Sequence, residues 1–113
     1  ELGLIMKSLS LREKDLAALR GTFSQFPSVT EVRLFGSRAT GNARRASDVD
    51  LAIFAPDATA DEWAGLCDAL ERTPSIYELD IVRAERTANA RLRERIEREG
   101  VTVYPEGKSL LRS

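Results

Sequence analysis

Apolar residues in this chain recur with two different periods, and the switches between them mark out its elements. Leu16, Leu19, Phe23 and Phe26 stand at helical spacing behind Ser10-Leu11-Arg12-Glu13, which has the form of a capping box. A first helix is therefore predicted over about Leu11 to Phe26, ended by Pro27-Ser28. Val29 to Phe35 is β-favourable, with Val32 and Leu34 alternating, and it stops at Gly36. A short helix is expected from Ser37 to Ala43, then a loop over Asn42 to Ser47 and a second strand from Asp48 to Phe54. Pro56-Asp57 ends that strand. Thr59-Ala60-Asp61-Glu62 is a second capping box, and Trp63, Leu66, Cys67 and Leu70 form one stripe of the helix behind it. Thr73-Pro74 stops this helix. A third strand follows over Ile76 to Val82, a charged helix over about Thr87 to Glu99 with Gly100 at its C′ position, and a last strand over Val101 to Tyr104.

The predicted order is α-β-α-β-α-β-α-β, an α/β (α+β) class with a sheet of about four strands. At 113 residues the chain is expected to form one domain, 1–113, with loose termini over 1–9 and 106–113. Met6 is a candidate natural start.

Composition narrows the chemistry. A net charge of −1 gives no basic surface of the kind that holds long nucleic acid. Cys67 is the only cysteine, which excludes an intrachain disulfide and points to a reducing compartment, the cytoplasm. There is no histidine, so general-base work by imidazole and the Cys/His zinc patterns are excluded. A bound metal must then take oxygen ligands, which favours magnesium, manganese or calcium. No apolar run reaches the roughly 20 residues of a membrane-spanning helix.

The candidate chemistry lies between Gly36 and Asp80. On a strand, Asp48, Asp50, Ala52 and Phe54 share one face, while Val49, Leu51 and Ile53 pack on the other. The two carboxylates start about 7 Å apart at their Cα atoms and can converge on one or two cations. A lone Asp-x-Asp pair is more often the polar mouth of a strand than a metal site. Two further features raise its weight: a Gly36-Ser37 turn with ten residues between Ser37 and Asp48, and a third acid downstream, Asp80, in Leu79-Asp80-Ile81. Asp80 is favoured over Glu78, which shares its face and is expected to be a solvated charge. Gly36 permits close backbone approach. Ser37 would sit at a helix N-terminus, where free N–H groups attract phosphate. Between Arg33 and Arg45 there are four arginines and no acid, with Arg38 the best placed for phosphate and Arg44 and Arg45 also available. The run Arg83 to Glu99 holds six arginines and four glutamates, paired at i, i+4 as Arg93/Glu97, Glu94/Arg98 and Arg95/Glu99; it reads as a solvated helix, with a partner-docking face as the alternative. Trp63 and Cys67 are expected in the core.

Gly36-Ser37, ten residues, Asp48-Val49-Asp50, and Asp80 downstream resemble the nucleotidyltransferase superfamily that includes DNA polymerase β. More narrowly the chain resembles the minimal nucleotidyltransferases (MNT) paired with HEPN-domain partners. The resemblance implies a mixed sheet flanked by helices. It implies catalytic aspartates Asp48, Asp50 and Asp80 holding Mg²⁺ (or Mn²⁺), as two ions, and ATP bound by Gly36, Ser37 and Arg38. It also implies an antitoxin that transfers AMP to a tyrosine of a HEPN toxin, in a homo- or hetero-oligomer. The alternatives are an antitoxin that neutralises by binding alone, and a small-molecule, antibiotic-type nucleotidyltransferase. The chain departs from the family's common pattern at Thr40, where many relatives carry Arg or Lys before the second glycine, here Gly41.

Overall fold

The computed structural model describes residues 11–36, 49–74 and 78–106. Its elements are α1 (Glu13–Phe23), β1 (Glu31–Phe35), β2 (Val49–Phe54), α2 (Ala60–Arg72), β3 (Leu79–Arg83), a single 3₁₀ turn (Ala84–Arg86), α3 (Ala90–Glu99) and β4 (Val101–Tyr104). The four strands form one mixed sheet in the order β3-β2-β1-β4. β1 runs antiparallel to β2 and β4, and β2 runs parallel to β3. The predicted helix over Ser37 to Ala43 lies outside the described residues, as do the termini 1–9 and 107–113.

The alternation along β2 decides the layers. Val49, Leu51 and Ile53 face α1 and α2, where they join Val32, Leu34, Leu16, Leu19, Phe23, Leu66 and Leu70 in the main core. The opposite face holds a smaller cluster of Phe35, Ala52, Ala84 and Ile96, with Phe54, Val82 and Leu92 packed on it. α3 covers this second face with only Leu92 and Ile96 as apolar contacts, so charges complete the cover. Glu31 accepts from Arg33 and from the Thr102 hydroxyl, each at 2.8 Å. Arg33 stacks over Phe54 at 4.9 Å and reaches Glu97 at 3.5 Å. Glu31 thereby holds the Arg33 guanidinium in its charged form, with a pKa raised above its ordinary value.

Element ends differ from the sequence prediction where local hydrogen bonds compete. α1 begins at Glu13, two residues later than a Ser10 cap would place it. Its N-cap is Arg12, without a side-chain cap bond, and Ser10 lies outside the described residues. Arg12 instead binds the buried Asp15 through two bonds, of 2.7 and 3.2 Å. α1 ends at Phe23, not Phe26, because Ser24 turns its hydroxyl back to the Gly21 carbonyl at 2.8 Å. The Thr59 capping box forms as predicted, with Glu62 N–H donating to the Thr59 hydroxyl and Thr59 N–H to Glu62. α3 begins at Ala90, because Asn89 supplies the cap by accepting from the Leu92 N–H at 3.1 Å.

Gly100 ends α3 but keeps an extended conformation (φ −66°, ψ 135°), so no left-handed turn intervenes before β4. Glycine is required there for space: a Cβ would collide with the Ile96 carbonyl and crowd Arg33. Of the predicted α3 pairs, Glu94/Arg98 and Arg95/Glu99 form, at 3.5 and 3.6 Å. Glu97 pairs with Arg33 instead, and Arg93 donates to the Thr87 carbonyl at 3.3 Å.

Two stability predictions follow from this packing. Leu34 is fully buried on the central strand, so Leu34→Ala is expected to cost about 2–5 kcal/mol, measured as a lower urea midpoint at unchanged m-value. The Arg12 guanidinium, through its hydrogen bonds, holds the Asp15 carboxyl below the usual carboxylate range against the opposing effect of burial. A depressed carboxyl stabilises the fold above its unfolded-state pKa, and the gain fades as pH falls through and below about 4. Asp15→Asn is therefore expected to lower the urea midpoint at pH 7, with the gap to wild type closing as pH drops toward 3.

Candidate active site

Strand direction brings three separated segments to one end of the sheet. β1 runs antiparallel to β2, so the end of β1 meets the start of β2, and Phe35 pairs with Asp50. β3 runs parallel to β2, so its start lies at the same end, and Asp50 pairs with Asp80. Neighbouring strands lie about 4.8 Å apart, and side chains of paired residues project from the same face. The two aspartates therefore stand side by side, on the face that α3 covers. Asp50 is half-buried and Asp80 exposed. Asp80 is thus less enclosed than its apolar neighbours Leu79 and Ile81 suggested, because β3 is the edge strand of the sheet.

Glu78 takes a different place. Its carbonyl accepts from the Val49 N–H at 2.8 Å, just ahead of β3. The residue lines a cavity of about 550 Å³ between α2 and β3, with Cys67, Leu70, Glu71, Thr73, Leu79 and Ile81. That cavity opens on the Leu79/Ile81 face of β3, away from the face that carries Asp80. Cys67 is half-buried there, and burial, with the Glu71 carboxylate second, pushes its thiol pKa up. Trp63 is also half-buried, not a full core residue. Its ring packs under the Arg83 guanidinium at 5.0 Å, while Arg83 donates to the Ala55 and Ala58 carbonyls, each at 2.9 Å.

The turn after β1 completes the described part of the site. Gly36 has φ +78°, the left-handed region that suits glycine. A Cβ at this position would collide with the Asp50 carboxylate and lie 3.4 Å from Nη2 of Arg95. Asp50, Gly36 and Arg95 thus converge. Arg95 also stacks over Phe35 at 5.4 Å. The Gly36 N–H donates to Oε1 of Glu99 at 3.2 Å, and Glu99 pairs with Arg95 and Arg98, each at 3.6 Å. Sequence reasoning placed Arg95 and Glu99 on a solvated helix. Their i, i+4 spacing showed the pair but carried no sign of the turn that it reaches.

Ser37, Arg38, Thr40, Arg44, Arg45 and Asp48 lie outside the described residues. Among the described residues, no three acidic or thiol side chains gather as a metal cluster. The donors that are described still suit a hard cation: two carboxylates from adjacent strands, no histidine in the chain, and an apolar wall behind them. Among the described residues, no helix is long and apolar enough to cross a membrane.

A family model described as Polymerase beta, Nucleotidyltransferase matches residues 18–109. Several solved structures share the architecture. The crystal structure of a mutant of the toxin-antitoxin MntA-HpeT aligns with a TM-score of 0.62 at 22% identity, over 89% of this chain and 80% of that one. A toxin-antitoxin crystallised with AMP-PNP aligns at 0.56 and 24% identity, over 89% and 80%. The toxin-antitoxin MntA-HepT aligns at 0.54 and 19%, over 88% and 79%. At these identities the likeness establishes the fold. No protein among the curated ones matches. The matched region spans β1 to β4 and contains Gly36, Asp50 and Asp80, and on that match the chain belongs to the polymerase β nucleotidyltransferase family.

Proposed function

We propose that this protein is a metal-dependent nucleotidyltransferase that moves AMP from ATP to a tyrosine of a partner HEPN toxin, and so acts as an antitoxin in the cytoplasm. One observation carries the reading: Asp50 and Asp80 stand side by side at the sheet end where the Gly36 turn lies. The solved structures with this fold support the partner class, since they are toxin-antitoxin complexes, one of them holding AMP-PNP.

Each residue has a definite task in this reading. Asp48, Asp50 and Asp80 would hold Mg²⁺ or Mn²⁺, which when bound would supply charge neutralisation for the triphosphate and activation of the attacking oxygen. Gly36 and Ser37 cradle phosphate with backbone N–H groups and a hydroxyl, and Arg38 adds a guanidinium. Asp80, exposed on the edge strand, would orient the tyrosine hydroxyl. The tyrosine oxygen bonds to the α-phosphorus, the bond to the β-phosphate oxygen breaks, and pyrophosphate leaves. In this reading Asp80 takes the phenolic proton. Positioning and charge neutralisation, not covalent participation by the protein, set the rate.

Thr40 favours a second reading, an antitoxin that works by complex formation alone, because relatives often carry a cation there. Asp48→Ala with Asp50→Ala separates the two: full toxin neutralisation by the double variant means that binding suffices.

The direct test combines the protein, ATP, Mg²⁺ and the HEPN partner, and measures the partner's intact mass. A gain of one adenylyl group is expected. Asp50→Asn is expected to slow that gain by more than about 100-fold, since even groups outside a metal's direct ligands cost 10–100-fold. An unchanged partner mass, together with no nucleotide uptake, refutes the reading.

A further inference from the structure

We infer that Arg95 is a phosphate-binding cation of the nucleotide pocket, and that Glu99 occupies its place with an anion when no nucleotide is bound. The inference rests on the nucleotidyltransferase reading above and adds two residues of α3 to that site.

The geometry points to it from three sides. Nη2 of Arg95 lies 3.4 Å from the point where a Gly36 side chain would begin, and the Asp50 carboxylate meets the same point. The guanidinium therefore stands beside the glycine turn, next to the Asp50 carboxylate. It is held there by stacking over Phe35 at 5.4 Å, the last residue of β1. The Gly36 N–H, a donor of the kind that cradles phosphate, is engaged by Oε1 of Glu99 at 3.2 Å.

Glu99 thus gathers a backbone N–H and a guanidinium onto one carboxylate. This is the donor set that a phosphate oxygen would take, and a carboxylate is the side chain whose charge and oxygen geometry come nearest to it. The Arg95–Glu99 contact is loose, at 3.6 Å, and the Arg95 side chain is nearly half exposed. A triphosphate arriving beside Asp50 can therefore displace the carboxylate at small cost. Arg98, also 3.6 Å from Glu99, keeps the released glutamate paired. Arg95 would supply from α3 the positive charge that Thr40 does not supply ahead of Gly41.

The two residues predict effects of opposite sign, which a purely structural pair would not show. Mg²⁺-ATP, ADP and adenosine are titrated calorimetrically into wild type, Arg95→Ala, Arg95→Lys and Glu99→Gln, each shown to be folded by circular dichroism. Arg95→Ala is expected to weaken ATP binding about 10-fold or more, as loss of a charge-assisted bond does. The loss should shrink for ADP and vanish for adenosine, which has no phosphate. Arg95→Lys should recover part of it, since the ammonium keeps the charge without the fork. Glu99→Gln should tighten ATP binding and leave adenosine unchanged. Equal ATP affinity in wild type and Arg95→Ala overturns the inference, as does weaker ATP binding in Glu99→Gln. If Arg95→Ala does not fold, Arg95→Lys and Glu99→Gln decide by the same signs. Wild-type protein that takes up no Mg²⁺-ATP overturns the nucleotidyltransferase reading itself, a result distinct from the failure of Arg95 alone.

Discussion

Strand register is the constraint on which the site depends. Asp50 sits in β2 with Phe35 as its partner on one side and Asp80 on the other. A slip of one residue in either pairing would turn a partner side chain to the opposite face of the sheet. The buried alternation of Val49, Leu51 and Ile53 prevents such a slip, because it would drive Asp50 into the main core, where an ionised carboxylate is costly. The apolar face thus orients the polar one. The aspartates are where they are because their neighbours must be buried.

The two faces of the sheet do different work. α1 and α2 close the main core with leucines and a phenylalanine. α3 closes the other face with two apolar residues and a set of charges, and this thinner cover leaves room for polar groups near the glycine turn. Glu31, Arg33, Thr102 and Glu97 form a connected polar group on that face, with Arg33 also stacked on Phe54. Arg95 over Phe35 and Arg83 over Trp63 repeat the device of a guanidinium laid on a ring at the sheet margin. Arg95 keeps its charge near the surface, whereas the more enclosed Arg83 and Arg33 are held by the Ala55 and Ala58 carbonyls and by Glu31.

Charge compensation at the Gly36 turn follows from this arrangement. A left-handed glycine presents its N–H at the end of β1, and a carboxylate of α3, packed over the same face, accepts from it. Glu99 satisfies that donor and gathers Arg95 and Arg98 around it. The last turn of α3 is thereby tied to the end of the sheet where Asp50 and Asp80 lie. Gly100 then passes the chain directly into β4, so the position of that turn is set by the sheet itself.

Much of the fold was legible in the sequence because it is written in short-range spacing. The alternation over β2 separated Asp50, Ala52 and Phe54 from Val49, Leu51 and Ile53, as the two clusters have them. Thr59 and Glu62 marked the start of α2, and β4 has the bounds that its Val-x-Val-Tyr pattern implied. The Gly36-Ser37 pair, Asp50 and Asp80 were visible as a motif, and the structure separates Asp80 from Glu78, which lines the cavity between α2 and β3. Helix ends were less legible, since α1 starts behind Arg12 and Asn89 caps α3, neither of which the pattern alone suggested. What only the tertiary structure decided was the company that these residues keep. Gly36 and Glu99 lie 63 positions apart, and nothing in their own neighbourhoods says that they meet. Local sequence sets which way a side chain points from its own strand or helix. Which strand or helix lies opposite is settled by burial of the whole apolar surface at once, and that is what carried Arg95 and Glu99 to the turn.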